Sequence, residues 1–457
     1  MHSFDSKTTI VAPATPLGRG GVAIVRLSGS NALNLGLSIT LRTFLKERHA
    51  HFSKFFDFDG NLIDFGIIIF FKGPNTFTGE DIIEFHCHGG NLIIDCIVEQ
   101  CLRFGACLAR PGEFSERAFF NNKMDLAQAE SVADLIASQT KLAAQAALNS
   151  LQGIFSDKVN IISKEIISLR TYVEAAIDFP DEEIDFLAQE SVELKLKSLI
   201  NVVSDLTAQA HHGSLLREGV SVVIAGKPNA GKSSLMNHLL GENRAIVTEI
   251  PGTTRDILTE NIQINGLPVR LHDTAGLRIS SDLVEKEGIS RAIELIKKSD
   301  LLLWLFDSCK KEDFIDDGLS LSNQIGILPD ELPKVIFVRN KIDQEKHNSF
   351  IGQKNTDTIS ISVLQNIGIE ELKKSITQKV GYVCSSIDIF SARRRHIESL
   401  NKTLSSLNIA YARLKSSAGE LMAEDLREAH HRLGEIVGEF TSEDLLDSIF
   451  SSFCIGK

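Results

Sequence analysis

The sequence predicts a multidomain chain of mixed α/β and α class, in which an α/β unit lies between two helical stretches and an α+β region precedes them. Three textures predict it. Up to about residue 118, short apolar runs such as "VAIVRL", "FGIIIFF" and "DIIEFHC" mix with glycine-rich turns, as in an α+β domain. From about Glu218 to Lys379 the runs "VSVVIAG", "TENIQI", "PVRLHD", "DLLLWLFD", "KVIFVRN" and "TISIS" alternate with helical patterns, which is how a mostly parallel sheet covered on both faces reads. The remaining stretches are rich in alanine and leucine and predict packed helices.

Taken in order, the expected segments are 1–118, 119–217, 218–380 and 381–457. "AFFNNKMDLAQAESVADLIASQTKLAAQAALNSLQ" has no internal proline and predicts long helices. "IDFPDEEIDF" (Ile177 to Phe186) interrupts them, because Pro180 and its carboxylate neighbours disfavour helix continuation, and helix resumes through about His211. Asn265 and Gly266, between two strand patterns, signal a hairpin. After about residue 390 the helical texture returns. One helical domain interrupted by the α/β unit fits this order, and so do two separate helical domains.

The composition, 43% hydrophobic and 24% charged over 457 residues, describes a globular protein with room for about three domains. No apolar run reaches the roughly 18 residues of a membrane span, so "FGIIIFF" and "LLLWLF" read as buried strands. The N-terminus lacks a basic region followed by an apolar one, and the seven cysteines are scattered; both point to a cytoplasmic, reduced protein. "HCH" (His86 to His88) alternates across a strand and lacks a second ligand cluster, which argues against a metal. A net charge of −12 counts against nonspecific polyanion binding. "RRRH" (Arg393 to His396) reads either as a local RNA-contacting patch or as a solvated helix start.

The chemistry is concentrated in the α/β unit. "GKPNAGKSS" (Gly226 to Ser234) follows a strand and opens a helix, matching G-x-x-x-x-G-K-[ST] in the context that gives it meaning. Backbone N–H groups there can curl round phosphate oxygens, Lys232 can reach the terminal phosphates and Ser233 can offer its hydroxyl to Mg2+. Asp273 ends the strand "PVRLHD", where its carboxylate can bind Mg2+, and the N–H of Gly276 in "DTAGLR" can meet the γ-phosphate. In "NKID" (Asn340 to Asp343) the carboxylate of Asp343 can accept from two guanine N–H donors, which adenine does not offer. Ser362, Val363 and Leu364 stand where a loop would brace the base. Thr253 or Thr254, in "TEIPGTTRD" (Thr248 to Asp256), can complete the Mg2+ shell and make that loop a switch. Leu277, beside Gly276, stands where many such sites carry a water-steering glutamine, and leucine holds no water.

These motifs, together with the C-terminal "FCIGK", resemble the MnmE family of tRNA-modification GTPases, also called TrmE. The resemblance extends through "ATPLGRGGVAIVRLSG", "GPNTFTGED", "RPGEFSERAFFNNKMDLAQAE" and "YVEAAIDFPDEEIDF", which together span nearly the whole chain. It implies an N-terminal folate-binding and dimerisation domain, a discontinuous helical domain and an inserted Ras-like P-loop GTPase domain. It also implies a homodimer that joins the flavoprotein MnmG as a heterotetramer. Such an assembly adds a carboxymethylaminomethyl-type group at carbon 5 of the wobble uridine of certain tRNAs, from a 5-formyl or methylene tetrahydrofolate.

Carried over residue by residue, the resemblance assigns K+ to Asn229, Thr248, Ile250 and Thr253, and Mg2+ to Ser233, Thr254 and Asp273. GTP falls to Asn229, Ala230, Gly231, Lys232, Ser233, Ser234, Thr248, Thr253, Thr254, Asp273, Thr274, Ala275, Gly276, Asn340, Lys341, Asp343, Ser362 and Val363. Catalysis falls to Asn229, Gly276 and Glu285, the last orienting water in place of the absent glutamine. The residues alone read Glu285 as a solvated helix position. Folate falls to Arg26, Glu84, Lys123 and Lys457, with Cys454 nearby, although an apolar buried cysteine is the commoner case. The sequence departs from the family at Lys227 and Pro228, and at Pro251, which fixes φ within the switch loop. Two other functions compete. One is a GTP-gated assembly factor for ribosomal RNA, although no RNA-binding module is evident after the α/β unit; the other is a regulatory switch, for which Leu277 would mean slow hydrolysis.

Overall fold

The computed structural model describes residues 8–16, 18–178, 189–243, 259–273, 283–309, 317–344, 358–382, 389–415, 419–454 and 456. It divides into two units, one of Met1–Ala133, Val159–Ser163 and His430–Lys457, the other of Asp134–Lys158 and Lys164–Ala429.

In the first unit six strands form one sheet: β1 (Ile10–Pro13), β2 (Gly20–Ser28), β3 (His51–Phe56), β4 (Leu62–Phe71), β5 (Ile82–Gly89) and β6 (Cys107–Leu108), in the order β3-β4-β5-β2-β1-β6. All pairings are antiparallel except β1 with β6. Period-two alternation gives the sheet one buried face, where Val25, Leu27, Phe55, Ile68, Ile83 and Phe85 pack with the helices Ala32–Thr40 and Asn91–Arg103. The opposite face is covered over β1, where Ile10 and Ala12 pack with Phe114, and is exposed over β3 and β4. "FGIIIFF" is therefore not buried on both sides as expected, since Phe65 and Ile67 of β4 are exposed beside Phe52 of β3. An antiparallel strand needs only one apolar face, and here its second face also carries apolar side chains.

The expected long helices beyond residue 117 are instead short: Glu113–Phe120, Leu126–Ala137 and Lys141–Leu151. The breaks are made by hydrogen bonding rather than by proline. Asn122 turns left-handed (φ 52°), and Asp125 and Gln128 cap reciprocally, Gln128 N donating to Asp125 Oδ1 and Asp125 N to Gln128 Oε1, both at 2.9 Å. Thr140 caps the next helix through Ala143 N. A longer helix, Ile154–Asp178, follows and ends where the carboxylate-rich stretch begins; Pro180 itself lies outside the described residues. The helix Gln189–Glu218 runs seven residues past the expected end at His211, directly into the second sheet.

That sheet has β7 (Val220–Gly226), β8 (Thr259–Ile264), β9 (Leu267–Asp273), β10 (Leu301–Asp307), β11 (Lys334–Asn340) and β12 (Thr358–Ser360) in the order β12-β11-β10-β7-β9-β8. Five strands are parallel, and β8 is antiparallel to β9 across the expected Asn265–Gly266 hairpin. Both faces are covered. Val222, Ile224, Leu303 and Leu305 pack on one side with Leu235, Leu239, Leu372 and Ile376, while Val223, Trp304 and Phe337 pack on the other with Ile296 and Leu321. β10, "LLLWLFD", is buried at every position, as a central parallel strand requires.

One carboxylate joins the two places where the chain enters and leaves this sheet. Asp134, buried in the helix Leu126–Ala137, accepts from Arg217 Nε (2.9 Å), Arg393 Nη2 (2.8 Å) and Ser391 Oγ (2.9 Å). Arg217 precedes β7, while Ser391 and Arg393 follow the last helix of the α/β unit. Arg393 is thus an anchor, His396 is buried against Phe155, and Arg394 is an exposed partner of Glu398. "RRRH" is accordingly the start of a fastened helix, with two of its four side chains turned inward. The hairpin tip docks as well: Thr140 Oγ1 donates to Gly266 O at 2.9 Å, and a Cβ on Gly266, whose φ is 84°, would meet Leu142 at 2.1 Å.

Candidate functional site

Those of the residues singled out in the α/β unit that are described gather at the carboxyl ends of the parallel strands, where open α/β sheets bind their ligands. β7 lies between β9 and β10, and "GKPNAGKSS" leaves its end. Asn229 takes a left-handed backbone (φ 64°) and Gly231 follows with φ 96°. A Cβ at Gly231 would lie 2.3 Å from Asn340 Nδ2, so the loop closes only with glycine there. The helix Lys232–Asn243 begins at once and turns its first N–H groups toward the loop. Lys232 Nζ donates to the carbonyl oxygens of Gly226 and Lys227, both at 2.9 Å. Desolvation pulls its pKa below the usual lysine range, against a smaller opposing effect of Asp273. Ser233 Oγ donates to Asp273 Oδ2 at 3.5 Å, and Asp273 is buried at the end of β9. A hydroxyl beside a carboxylate is a hard-oxygen set that fits Mg2+.

The base-reading side is tied to this loop by one buried side chain. Asn340, 3% exposed, donates through Nδ2 to Ala230 O at 2.8 Å, and its Oδ1 accepts from Lys341 N (2.8 Å) and Val363 N (3.4 Å). It therefore links the phosphate loop, its own turn and the loop of Ser362 to Leu364. Lys341 (φ 67°) donates to Asp307 Oδ2 at 2.7 Å, and Ser308 Oγ donates to Lys341 O at 2.9 Å. Asp343 Oδ1 accepts from Ser362 Oγ at 2.5 Å, and Ser362 Oγ accepts from Gln365 N at 3.2 Å. Leu364 is exposed. Asp307 and Ser308 were not expected from the sequence; the position of Asp307 at the end of "DLLLWLFD" was the available signal.

Thr248, Ile250, Pro251, Thr253, Thr254, Thr274, Ala275, Gly276 and Leu277 lie outside the described residues, as does Lys457. Glu285 is the third residue of the helix Leu283–Lys298, and its side chain also lies outside them. Ala230 is buried and Ser234 exposed in the first turn after the loop.

In the first unit, antiparallel register sets Arg26 of β2 opposite Glu84 of β5. Arg26 donates twice to Glu84 Oε1, from Nε at 2.9 Å and Nη2 at 2.8 Å, and its guanidinium lies 5.9 Å from the ring centres of both Phe77 and Phe114. Cationic and acceptor groups flanked by rings fit a carboxylate-bearing heterocycle such as a folate. Lys123 is exposed, lines a cavity of about 1010 Å3, and lies next to Gly79. The neighbouring Thr78 is bound to Ser28 of β2 through their hydroxyls at 2.7 Å. Gly456 has its backbone against Pro13 and Ala14, beside β1 of the same sheet. Sequence reasoning missed Arg117. Fully buried, it donates to Thr8 O (2.8 Å), Glu80 (3.1 Å) and Glu113 (3.0 Å), fastening the helix Glu113–Phe120 to the loop before β5. A lone arginine in an amphipathic segment carries no signal of such a role.

Cys454 is exposed, contrary to the buried state that is usual for an apolar-flanked cysteine. Cys87 is buried, and desolvation pushes its thiol up to about 11, while burial raises Cys101 further. Iodoacetamide at about pH 8 is expected to label Cys107, Cys309 and Cys454 in the native protein and to leave Cys87 and Cys101 unlabelled until denaturation, as read by peptide mass spectrometry.

A phosphate loop at the end of a central parallel strand, bound through one asparagine to an Asn-Lys-x-Asp turn, defines the class of P-loop GTP hydrolases. Two family models divide the chain: "GTP-binding protein TrmE N-terminus" matches residues 9–123 and "MnmE helical domain" residues 126–454. The tRNA modification GTPase MnmE of Legionella pneumophila strain Philadelphia 1 is 50% identical over 98% of this chain and 99% of its own length. Its namesake in Haemophilus influenzae strain PittGG is 50% identical over 99% of this chain and all of its own, and that of Pseudomonas entomophila strain L48 is 49% identical over 99% of each. The chain belongs to the MnmE family. Among the described residues no helix is long and apolar enough to cross a membrane.

Proposed function

We propose that the chain is a potassium-stimulated GTPase that modifies tRNA. With the flavoprotein MnmG it installs a carboxymethylaminomethyl-type group at carbon 5 of the wobble uridine, using a tetrahydrofolate one-carbon donor. The observation that carries this reading is Asn340, which ties the phosphate loop to the guanine-type turn in a chain about 50% identical to MnmE proteins over nearly its whole length. Lys232 and the N–H groups of residues 229–234 hold the phosphates, Asp343 selects guanine, and Ser233 with Asp273 hold Mg2+. Asn229 takes part in a K+ site with Thr248, Ile250 and Thr253. When bound, K+ neutralises charge that develops between the β- and γ-phosphates, which would make the glutamine that Leu277 replaces unnecessary. Glu285 orients the water, and Gly276 meets the γ-phosphate.

A folate, which supplies the one-carbon unit when bound, is held by Arg26, Glu84, Lys123 and Lys457. The homodimer forms through the N-terminal domain, a reading supported by the exposed Phe52, Phe65 and Ile67 on the sheet face that also bears Arg26 and Glu84. The helical domain is assembled from residues 119–217 and 381–457 around a GTPase domain at 218–380, and the enzyme works in the cytoplasm. Mass spectrometry of wobble nucleosides from a strain lacking this gene tests the function. Loss of the C5 substituent is the expected result, and an unchanged nucleoside profile with a ribosome-assembly defect would favour the assembly factor.

A further inference from the structure

The partly exposed face of the first sheet holds a further titratable side chain. His86 lies two residues from Glu84 on β5, on the same face, opposite Ile24 of β2 and Ile67 of β4. Glu84 is shared: Oε1 takes both Arg26 donors, while Oε2 lies 3.3 Å from His86 Nε2. All three side chains are partly exposed, at 23%, 14% and 26% for Arg26, Glu84 and His86, so a ligand can reach them. Among the described residues the charged neighbours are few. On β5, His88 donates its backbone N–H to Asp64 Oδ2 and pairs its ring Nδ1 with Asp64 Oδ1, each at 2.8 Å. Lys54 of β3 lies over the Phe65 ring. Beyond Arg26, Glu80 is engaged by Ser28 and Arg117. β4 opposes His86 only with isoleucine.

With His86 neutral, Arg26, Glu84 and His86 sum to zero charge; with His86 protonated they sum to +1. We propose that His86 is a positioning residue of this face, holding the free oxygen of Glu84 and setting by its protonation how strongly the face binds an anionic, ring-bearing ligand, here the tetrahydrofolate of the function proposed above. A proton on His86 adds one unit of attraction for an anion, so binding tightens as the ring is protonated.

The test is equilibrium binding of 5-formyltetrahydrofolate to the full chain between about pH 8 and about pH 6, with thermal melting to confirm that each variant is folded. Wild type is expected to bind roughly three- to tenfold more tightly at the lower pH, since one proton coupled to binding changes affinity by up to tenfold per pH unit. His86→Gln, whose amide can still donate to Glu84, keeps the affinity seen at the higher pH and loses the pH dependence. His86→Ala is weaker at both. A His86→Gln variant that titrates like wild type overturns the proposal. Arg26→Ala separates the two readings: wild-type affinity in that variant removes the folate site itself, whereas weakened binding there beside an unaltered His86→Gln profile removes only the role of His86.

Discussion

Asp343→Asn is expected to weaken GTP binding by on the order of 10²-fold and to raise the affinity for xanthosine triphosphate. Guanine presents N1–H and N2–H to one carboxylate, and each hydrogen bond to a charged acceptor is worth about 1.5–3 kcal/mol. The amide of asparagine keeps one acceptor and puts a donor where the second was. Xanthine carries a carbonyl at that position and accepts from it. The turn should survive the exchange, because Ser362 Oγ can still donate to the remaining oxygen and Asn340 still holds the loops. Competition between the two nucleotides, measured by fluorescence displacement, checks this. Unchanged preference for GTP would mean that Asp343 does not read the base.

Asp134→Ala is expected to cost about 3 kcal/mol of stability, at the low end of what removing one partner of a buried ion pair costs. The variant leaves the guanidiniums of Arg217 and Arg393 and the hydroxyl of Ser391 without the acceptor they share. Arg217 keeps Glu218 at 3.0 Å, which limits the loss. At about 2–4 °C per kcal/mol for units of 150–250 residues, calorimetry should show the melting transition containing the α/β unit fall by roughly 6–12 °C. Because Asp134 holds the chain on both sides of that unit, limited proteolysis near residues 217 and 391 should speed up together. Faster cleavage at only one of them would refute the shared clamp.

The α/β unit was legible because its signals are local. The continuous apolar run of β10 predicts a doubly covered strand and forms one, whereas "FGIIIFF", the same kind of run, lies in a sheet whose second face is exposed there. The Asn265–Gly266 pair predicts a hairpin by its own φ preferences, and the described motif residues fall at strand ends because the chemistry needs them there. What was not legible depends on partners distant in sequence. The breaks at Asn122 and Thr140 are made by capping bonds that overrule helix propensity. Arg117 and Asp134 looked like ordinary charges until the fold brought residues 109 and 259 positions away to them. Arg26 and Glu84 are joined only by the register of β2 on β5, which no periodicity specifies, and family resemblance alone pointed to them.

In the proposed mechanism a monovalent cation does what the leucine at position 277 prevents a side chain from doing. Steady-state GTP hydrolysis by the full chain, in potassium and in sodium buffers of equal ionic strength, tests this most directly. The rate is expected to be about tenfold or more higher in potassium, and Asn229→Ala should abolish the difference. Equal, slow rates in both salts would contradict it.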